Sequence, residues 1–439
     1  MAVLDEIFAA GIVGAGGAGF PTHKKLVPEA KLLIINAVEC EPLLASDRYV
    51  MRHFAPELVS AITQIVRELR IARVVIGTKT KYVEEIASLQ AAIAAAGADI
   101  EIFGLESFYP AGDEQVLIYE ITGQTVPPGG IPIALGIVVI NVTTTLNIAR
   151  AMGGSPVTRR FVTVNGAVAH PTIVDAPIGT SPADLIAAAG GATISSYGLV
   201  RGGPMMGRQY AGGEAGQIGY GKADGGLLVL PTDSPVFVRH AATTSRVVLE
   251  AKSACIQCQL CTQLCPRYLI GHQMRPHRVM RAIDTANPDD LADALLCCEC
   301  GVCEIYACPM GLHPRQINIF AKSILREHGV KIADVGVHDE HTTQRGYRRI
   351  AQSRFIERLQ LGGYPTHLYD LVACQPEVVR IPVKHGVGKP STPVVKAGER
   401  VKVGQVIAEV GRDDVGCLVH ASIDGQVAEV TDQYVVIRG

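Results

Sequence analysis

Residues 255–266 read CIQCQLCTQLCP, and residues 297–309 read CCECGVCEIYACP. The first run spaces its thiols as Cys255-x2-Cys258-x2-Cys261-x3-Cys265-Pro266, the bacterial [4Fe–4S] pattern. Gaps of two residues let three thiolates of one tight loop reach three irons of a cube. The proline then turns the chain away after the fourth cysteine. A zinc site would more naturally use two separated pairs. The second run keeps the same gaps at Cys297, Cys300 and Cys303, but reaches Cys308-Pro309 after four residues, which reads as a longer loop around an ordinary cluster. In two-cluster modules the fourth cysteine of each run ligates the other cluster. The spacing therefore predicts Cys255, Cys258, Cys261 and Cys308 on one [4Fe–4S] cluster, and Cys297, Cys300, Cys303 and Cys265 on the second. Cys298 breaks the register and reads as a spare buried thiol. Residues 266–296 should be helix and loop folding the two runs together. Two adjacent clusters make a one-electron wire, which needs a donor and an acceptor.

Working outward, nine of the twelve cysteines lie between Cys255 and Cys308 in a chain of 439 residues. Such clustering favours metal ligation over disulfides. Lys and Arg number 40 against 42 Asp and Glu, so no basic surface for a nucleic acid is expected. No apolar run is long enough for a transmembrane segment. The most apolar stretch, Ile131–Val142, carries Pro132 and reads as a buried strand. Asp5 and Glu6 stand where a signal peptide would be positive. The expectation is a cytoplasmic protein. Residues 2–10 read as a short amphipathic helix packed on its own domain rather than an address for a larger assembly.

Four textures divide the chain into a multidomain α/β and α+β protein. Residues 1–155 alternate strand-like runs (32–37, 74–77, 137–142) with helix-like runs (56–69, 83–96), as in a layered domain with a largely parallel sheet. Residues 156–240 are short strands broken by Gly and Pro, with one helix-like run at 182–189, and fit a small mixed sheet. Residues 245–335 hold the cysteines among helices, including 316–327. Residues 335–372 are polar and carry no clear pattern. Residues 375–439 are valine-rich strands with regular turns, a small β-barrel or sandwich.

Residues 14–19 read GAGGAG, formally G-x-G-x-x-G. A Rossmann fingerprint should follow a strand and open a helix. Here the preceding residues look helical and Pro21 follows at once, so an ordinary Rossmann reading is disfavoured. A glycine loop whose N–H groups approach a phosphate still fits. Downstream, Asn36, Glu39 and Glu41 end an apolar strand, the edge where parallel sheets bind ligands. Gly112-Asp113-Glu114, the loop 127–130 and Asn141–Thr144 add polar groups. Singly each reads as a turn or cap; together they suggest one site.

These residues carry a resemblance. GAGGAGFPT (14–22), NAVECEP (36–42), PAGDEQVLIYEITG (110–123) and INVTTT (140–145) resemble the flavin- and NADH-binding subunit of respiratory complex I. They are still more similar to the C subunit of the Rnf electron-transport complex, as is GGPMMG (202–207). The Rnf protein places its barrel-sandwich module before the flavin domain. Here that module is C-terminal, an order that resembles the PduS family of cobalamin reductases from the propanediol-utilisation microcompartment. The resemblance implies a Rossmann-like FMN-binding α/β domain (1–155) and an SLBB-type β-grasp domain (156–240). It further implies a ferredoxin-like helical module with two clusters (245–335) and a C-terminal barrel-sandwich hybrid (375–439).

Residue by residue, the resemblance implies FMN held by Gly14, Gly16, Gly17 and Gly19, with Lys25 nearby. Asn36, Glu39, Asp113, Glu114, Asn141 and Thr144 would surround the ribityl phosphate and isoalloxazine, with Glu41 on the nicotinamide side. Val38, Cys40 and Ile140 depart from the complex I pattern and follow the Rnf-like branch. The C-terminal module is similar to lipoyl carriers but offers no tip lysine, and reads as a structural or docking unit. Cys374 and Cys417 read as core thiols, and His385 as a satisfied loop histidine rather than a cobalt ligand. The resemblance implies NADH as donor, cobalamin as acceptor, and a cob(I)alamin adenosyltransferase and microcompartment shell or lumen proteins as partners. Two alternatives remain: an Rnf-like subunit linking NADH to a membrane complex, and an electron-wiring or docking protein with a vestigial flavin site.

Overall fold

The computed structural model describes residues 2–211, 219–239, 241–332 and 344–439. In the first layer, β1 (Leu32–Asn36), β2 (Arg73–Lys79), β3 (Glu101–Leu105) and β5 (Ile137–Asn141) form a parallel sheet in the order β3-β2-β1-β5. Here β4 is the short strand Phe108–Tyr109. The apolar run of β1 follows from burial on both faces. Leu33 and Ile35 join Val74, Ile76, Val138 and Ile140 under the helices Ala2–Ala9, Ala55–Leu69 and Val142–Met152. Leu32 and Ile34 face the other way, with Val75 and Val139, onto Val116, Leu117 and Ile118 of the helix Glu114–Thr122. The period of two along each strand makes this division.

The N-terminal helix packs on this domain through Val3 and Ile7, both fully buried. The apolar stretch from Ile131 differs from its expectation. Ile131 is exposed, Pro132–Leu135 forms a 3-10 turn, and the strand begins at Ile137. Proline lacks the N–H a central strand needs, so pairing starts after the turn.

The second layer is a mixed six-stranded sheet of β6 (Arg159–Gly166), β7 (Thr172–Pro177), β8 (Tyr197–Arg201), β9 (Arg208–Ala211), β10 (Gly226–Pro231) and β12 (Leu371–Ala373). The helix Pro182–Ala188 covers it, capped by the Ser181 hydroxyl. Part of 335–372, which has no legible pattern, supplies edges to its neighbours. There β11 (Ile350–Ala351) pairs with β4, and β12 joins β7. The start of that segment lies outside the described residues.

The C-terminal strands β13 (Val378–Pro382), β14 (Thr392–Pro393), β15 (Arg400–Val401), β16 (Val406–Glu409), β17 (Val419–His420), β18 (Gly425–Val430) and β19 (Tyr434–Arg438) make two antiparallel sheets, β13-β19-β18-β15 and β14-β16-β17. Their facing valines and isoleucines form one core with Ile178 of the second layer. Cys374 and Cys417 are buried, as expected. The cysteine module consists of short helices around its own core, closed by the helix Pro314–Glu327. Among the described residues no helix is long and apolar enough to cross a membrane.

Candidate functional site

The register of the parallel sheet sets Asn36 directly opposite Asn141, at the carboxyl edge where such sheets take ligands. Asn141 caps the helix Val142–Met152: its Oδ1 accepts from the Thr143 and Thr144 amides. Its Nδ2 donates to Asp47 Oδ2 at 2.7 Å. Thr144 Oγ1 accepts from the Ala15 amide at 2.9 Å and so ties the glycine loop to that helix end. The loop closes on itself through Gly14 N to Phe20 O at 2.9 Å. Gly17 has φ +123° and open space where a Cβ would stand. A Cβ on Gly16 would crowd Asn141 at 3.4 Å. Glycines keep the loop's own side chains away from the sheet edge, and this cradle fits a phosphate-bearing cofactor such as FMN.

Gly19 owes its glycine to another cause. At φ +65° its Cβ would meet the His385 carbonyl at 2.6 Å. The barrel loop lies on the glycine loop there, with the Val387 amide donating to Ala18 O at 3.1 Å. His385 is buried; its Nδ1 accepts from the Lys222 amide at 3.3 Å, while Nε2 has no partner.

The acidic groups divide by environment. Lys25 pairs with Glu114. Asp113 caps its helix through Oδ1 and pairs through Oδ2 with Arg267 at 2.8 Å. Asn36 Nδ2 donates to the Gly112 carbonyl at 2.9 Å. Glu39 is buried in left-handed backbone (φ 41°), and its Oε2 accepts from the Asp47 amide at 2.9 Å. Burial and the Asp47 charge push its carboxyl up to about 8. Glu41 accepts from the Met205 amide at 2.9 Å and lies 3.5 Å from the Tyr109 hydroxyl. Burial pushes it up to about 7. A Cβ on Gly203 would collide with this carboxylate, Gly202 sits at φ +102°, and a Cβ on Gly207 would meet the Gly203 carbonyl at 2.4 Å.

The cysteines gather as two groups. Cys255, Cys258, Cys261 and Cys308 line one cavity together with Ile256, Met280 and Leu312. Cys265, Cys297, Cys300 and Cys303 act on one another electrostatically, which places them close together. Both runs use the same local device. Residues in left-handed backbone flank the middle cysteine: Gln257 and Gln259 around Cys258, Glu299 and Gly301 around Cys300. These positions curl each loop so that its thiols converge. The extra residue of the second run is taken up by a π-helical turn, Cys303–Ala307, with Cys308 N bonding Cys303 O at 3.1 Å. The first group offers four thiols, the number one cube takes, and the second offers its four together with Cys298. Among the described residues no three side chains converge on a single-ion site; a cube takes one thiolate per iron and needs no such point. Without metal, burial pushes Cys261 and Cys297 up to about 12, so cluster loading must release protons.

Several residues here carry no sequence signal. Tyr109, held by the β4–β11 pair, donates to the Cys300 carbonyl at 3.0 Å. Lys79 is fully buried at the end of β2 and donates to the Glu39 carbonyl at 3.0 Å. Asp47, Arg160 and Arg267 are likewise ordinary in the sequence. Cys298 is half-buried and packs against the core that holds Cys300 and Tyr109.

This layered fold, with a nucleotide-type cradle beside eight grouped thiols, defines an iron–sulfur flavoprotein of the electron-transfer oxidoreductase class. Family models agree: Nuo51 FMN-binding domain over 7–150, SLBB domain over 161–209, 4Fe-4S dicluster domain over 254–313 and RnfC barrel sandwich hybrid domain over 371–438. Across its whole length the chain is 40% identical to the cobalamin reductase PduS of Salmonella typhimurium, covering 96% of that protein. It is 39% identical to the same protein of Citrobacter freundii. The chain belongs to the PduS family. The C subunit of the ion-translocating oxidoreductase complex of Vibrio cholerae is 36% identical over 66% of this chain and 36% of its own. An NAD+-reducing [NiFe]-hydrogenase shares the fold, with TM-score 0.51, 19% identity, and coverage of 82% of this chain and 66% of its own.

Proposed function

We propose that this chain is an NADH-dependent cobalamin reductase using FMN and two [4Fe–4S] clusters. The domains are taken as 1–155, 156–240, 245–335 and 375–439. The ligand sets are Cys255, Cys258, Cys261 and Cys308, and Cys265, Cys297, Cys300 and Cys303. One observation carries the reading: the flavin-type domain touches the cysteine module directly, through Tyr109 to the Cys300 carbonyl and Asp113 to Arg267. A donor site and a one-electron wire that share a wall are what an NADH-to-acceptor enzyme requires.

FMN, when bound, accepts a hydride as an electron pair and releases the electrons singly. The chain's own residues hold and shield. The loop of Gly14, Gly16 and Gly17 would hold the phosphate, and Asn36 and Asn141 would meet the cofactor from the sheet edge. Glu39, Thr144, Glu114 and Lys25 complete the wall. Glu41, held by the Met205 amide beside Tyr109, stands on the nicotinamide side. The barrel loop at His385 backs Gly19 and closes the cradle from behind. Because the acceptor takes electrons only, each NADH oxidised leaves one proton to be released. Cobalamin is the substrate at the far end, its cobalt taken from Co(III) to Co(II) and Co(I). The product suits a cob(I)alamin adenosyltransferase inside a microcompartment.

Whole-length identity with the cobalamin reductases favours this over an Rnf-type role, whose relatives match two thirds of the chain. Anaerobic NADH titration of the reconstituted protein tests the wiring. Bleaching of flavin absorbance together with an EPR signal from reduced clusters is expected; flavin bleaching with silent clusters would refute it.

A further inference from the structure

We propose that Arg160 is a positioning residue of the flavin site: it turns the Gly16 amide toward the cofactor's phosphate and so sets a preference for a phosphorylated flavin. This rests on the flavin reading made above.

Arg160 is the second residue of β6 and belongs to the second layer, not to the domain that carries the glycine loop. Its side chain nevertheless ends on that loop: Nη2 donates to the Ala15 carbonyl at 3.0 Å. Nε reaches the Asp224 carbonyl at 3.4 Å. The approach requires a glycine at residue 225, where a Cβ would meet Nη2 at 2.9 Å. Arg160 is 5% exposed, and its Nη1 has no partner among the described residues. Three carboxyl groups lie near it, and each is engaged elsewhere: Asp47 with Asn141 and Thr143, Glu39 with the Asp47 amide, Asp224 with Arg201. A buried cation without an ion pair is costly to keep. With acidic groups this close, Arg160 acts through the peptide it holds rather than through a net positive field.

The effect on the loop follows from peptide geometry. A trans peptide is planar, and its carbonyl and the N–H that follows point in opposite directions. Holding the Ala15 carbonyl on Arg160 therefore turns the Gly16 N–H away from Arg160. The preceding peptide is held too, since the Ala15 amide donates to Thr144 Oγ1 at 2.9 Å. Gly16 stands beside Asn141, which caps the helix Val142–Met152; a Cβ on Gly16 would lie 3.4 Å from Asn141 Cβ. The N-terminus of a helix favours a phosphate. No backbone acceptor among the described residues takes the Gly16 amide. A phosphate gains one fixed donor from an amide held in this way, and a flavin without phosphate gains nothing from it.

The test is flavin binding by the full chain, with clusters reconstituted and flavin removed, followed by fluorescence quenching. FMN is compared with riboflavin, which lacks the phosphate, on wild type, R160M and R160K, with thermal melts of the same samples. Wild type should prefer FMN. R160M, which keeps the bulk but no donor, should bind FMN about tenfold or more weakly, while its riboflavin affinity changes less than about twofold. R160K keeps a donor but not the planar fork, and should fall between. Equal losses for both flavins would overturn the proposal and leave Arg160 as a staple between domains; so would unchanged FMN binding. If R160M does not fold, R160K decides, and a wild-type preference for FMN in it would overturn the proposal. Wild-type protein that binds FMN and riboflavin alike would overturn it as well. A wild type that takes up neither flavin would instead count against the flavin reading itself.

Discussion

Gly17 and Gly19 both sit in left-handed backbone, yet for different reasons, and substitutions separate them. Gly17 faces open space, Gly19 the His385 carbonyl. G17V should therefore lose FMN while keeping its iron, read as flavin released by acid against iron per chain; a protein still yellow would contradict the cradle. G19A should instead loosen the barrel and lower the melting temperature. Cys258, the exposed thiol of the first run, should be needed for one cluster only. C258S should bind about half the iron and retain its flavin; unchanged iron would refute the ligand assignment. Glu39 predicts a pH dependence. Its carboxyl moves from 4.5 to about 8 in the folded chain. Across that window the folded state holds the extra proton, so this contribution to stability is full below the lower value and fades as pH rises through the upper one. Thermal melts of the apoprotein should show E39Q losing less stability than wild type between about pH 5 and pH 8. Parallel slopes would refute the buried, protonated state.

At the scale of elements, the legible parts were those written locally. The run Leu32–Asn36 announces a strand buried on both faces, and the cysteine gaps announce their loops. The extra residue before Cys308 was visible as a departure, but its resolution as a π-turn depends on backbone bonding that no spacing reveals. The edge strands β11 and β12 were illegible because two- and three-residue pairings leave no periodic trace. Asp113 could be read as a helix cap, whereas its bond to Arg267 joins residues 154 apart in the chain. Losing that carboxylate removes a cap and strands a largely buried guanidinium. D113A should cost about 2 kcal/mol or more, measured by denaturant unfolding of the apoprotein. A loss below about 0.5 kcal/mol would show that the pair is not structural.

Across the whole molecule, one buried lysine joins three domains. Lys222 Nζ, from the second layer, donates to the Gly11 and Leu418 carbonyls, each at 2.7 Å. Gly11 precedes the glycine loop and Leu418 belongs to the barrel, so the C-terminal module is bolted to the flavin cradle. The valine pattern of residues 375–439 foretold a barrel, and nothing in it foretold this docking. K222M should strand both carbonyls, cost about 2–4 kcal/mol, and open the barrel junction to limited proteolysis. An unchanged digestion pattern would contradict the docking role. All these contacts serve one claim, that electrons from NADH pass through a flavin and two clusters held in this single chain to reach cobalamin. The direct measurement is cobalt reduction under anaerobic conditions by the reconstituted protein, followed by the visible spectrum of cobalamin. The account predicts that NADH alone drives cob(II)alamin formation and that C300S abolishes it while FMN stays bound. Fully loaded protein that oxidises NADH yet leaves the cobalt unreduced would contradict it.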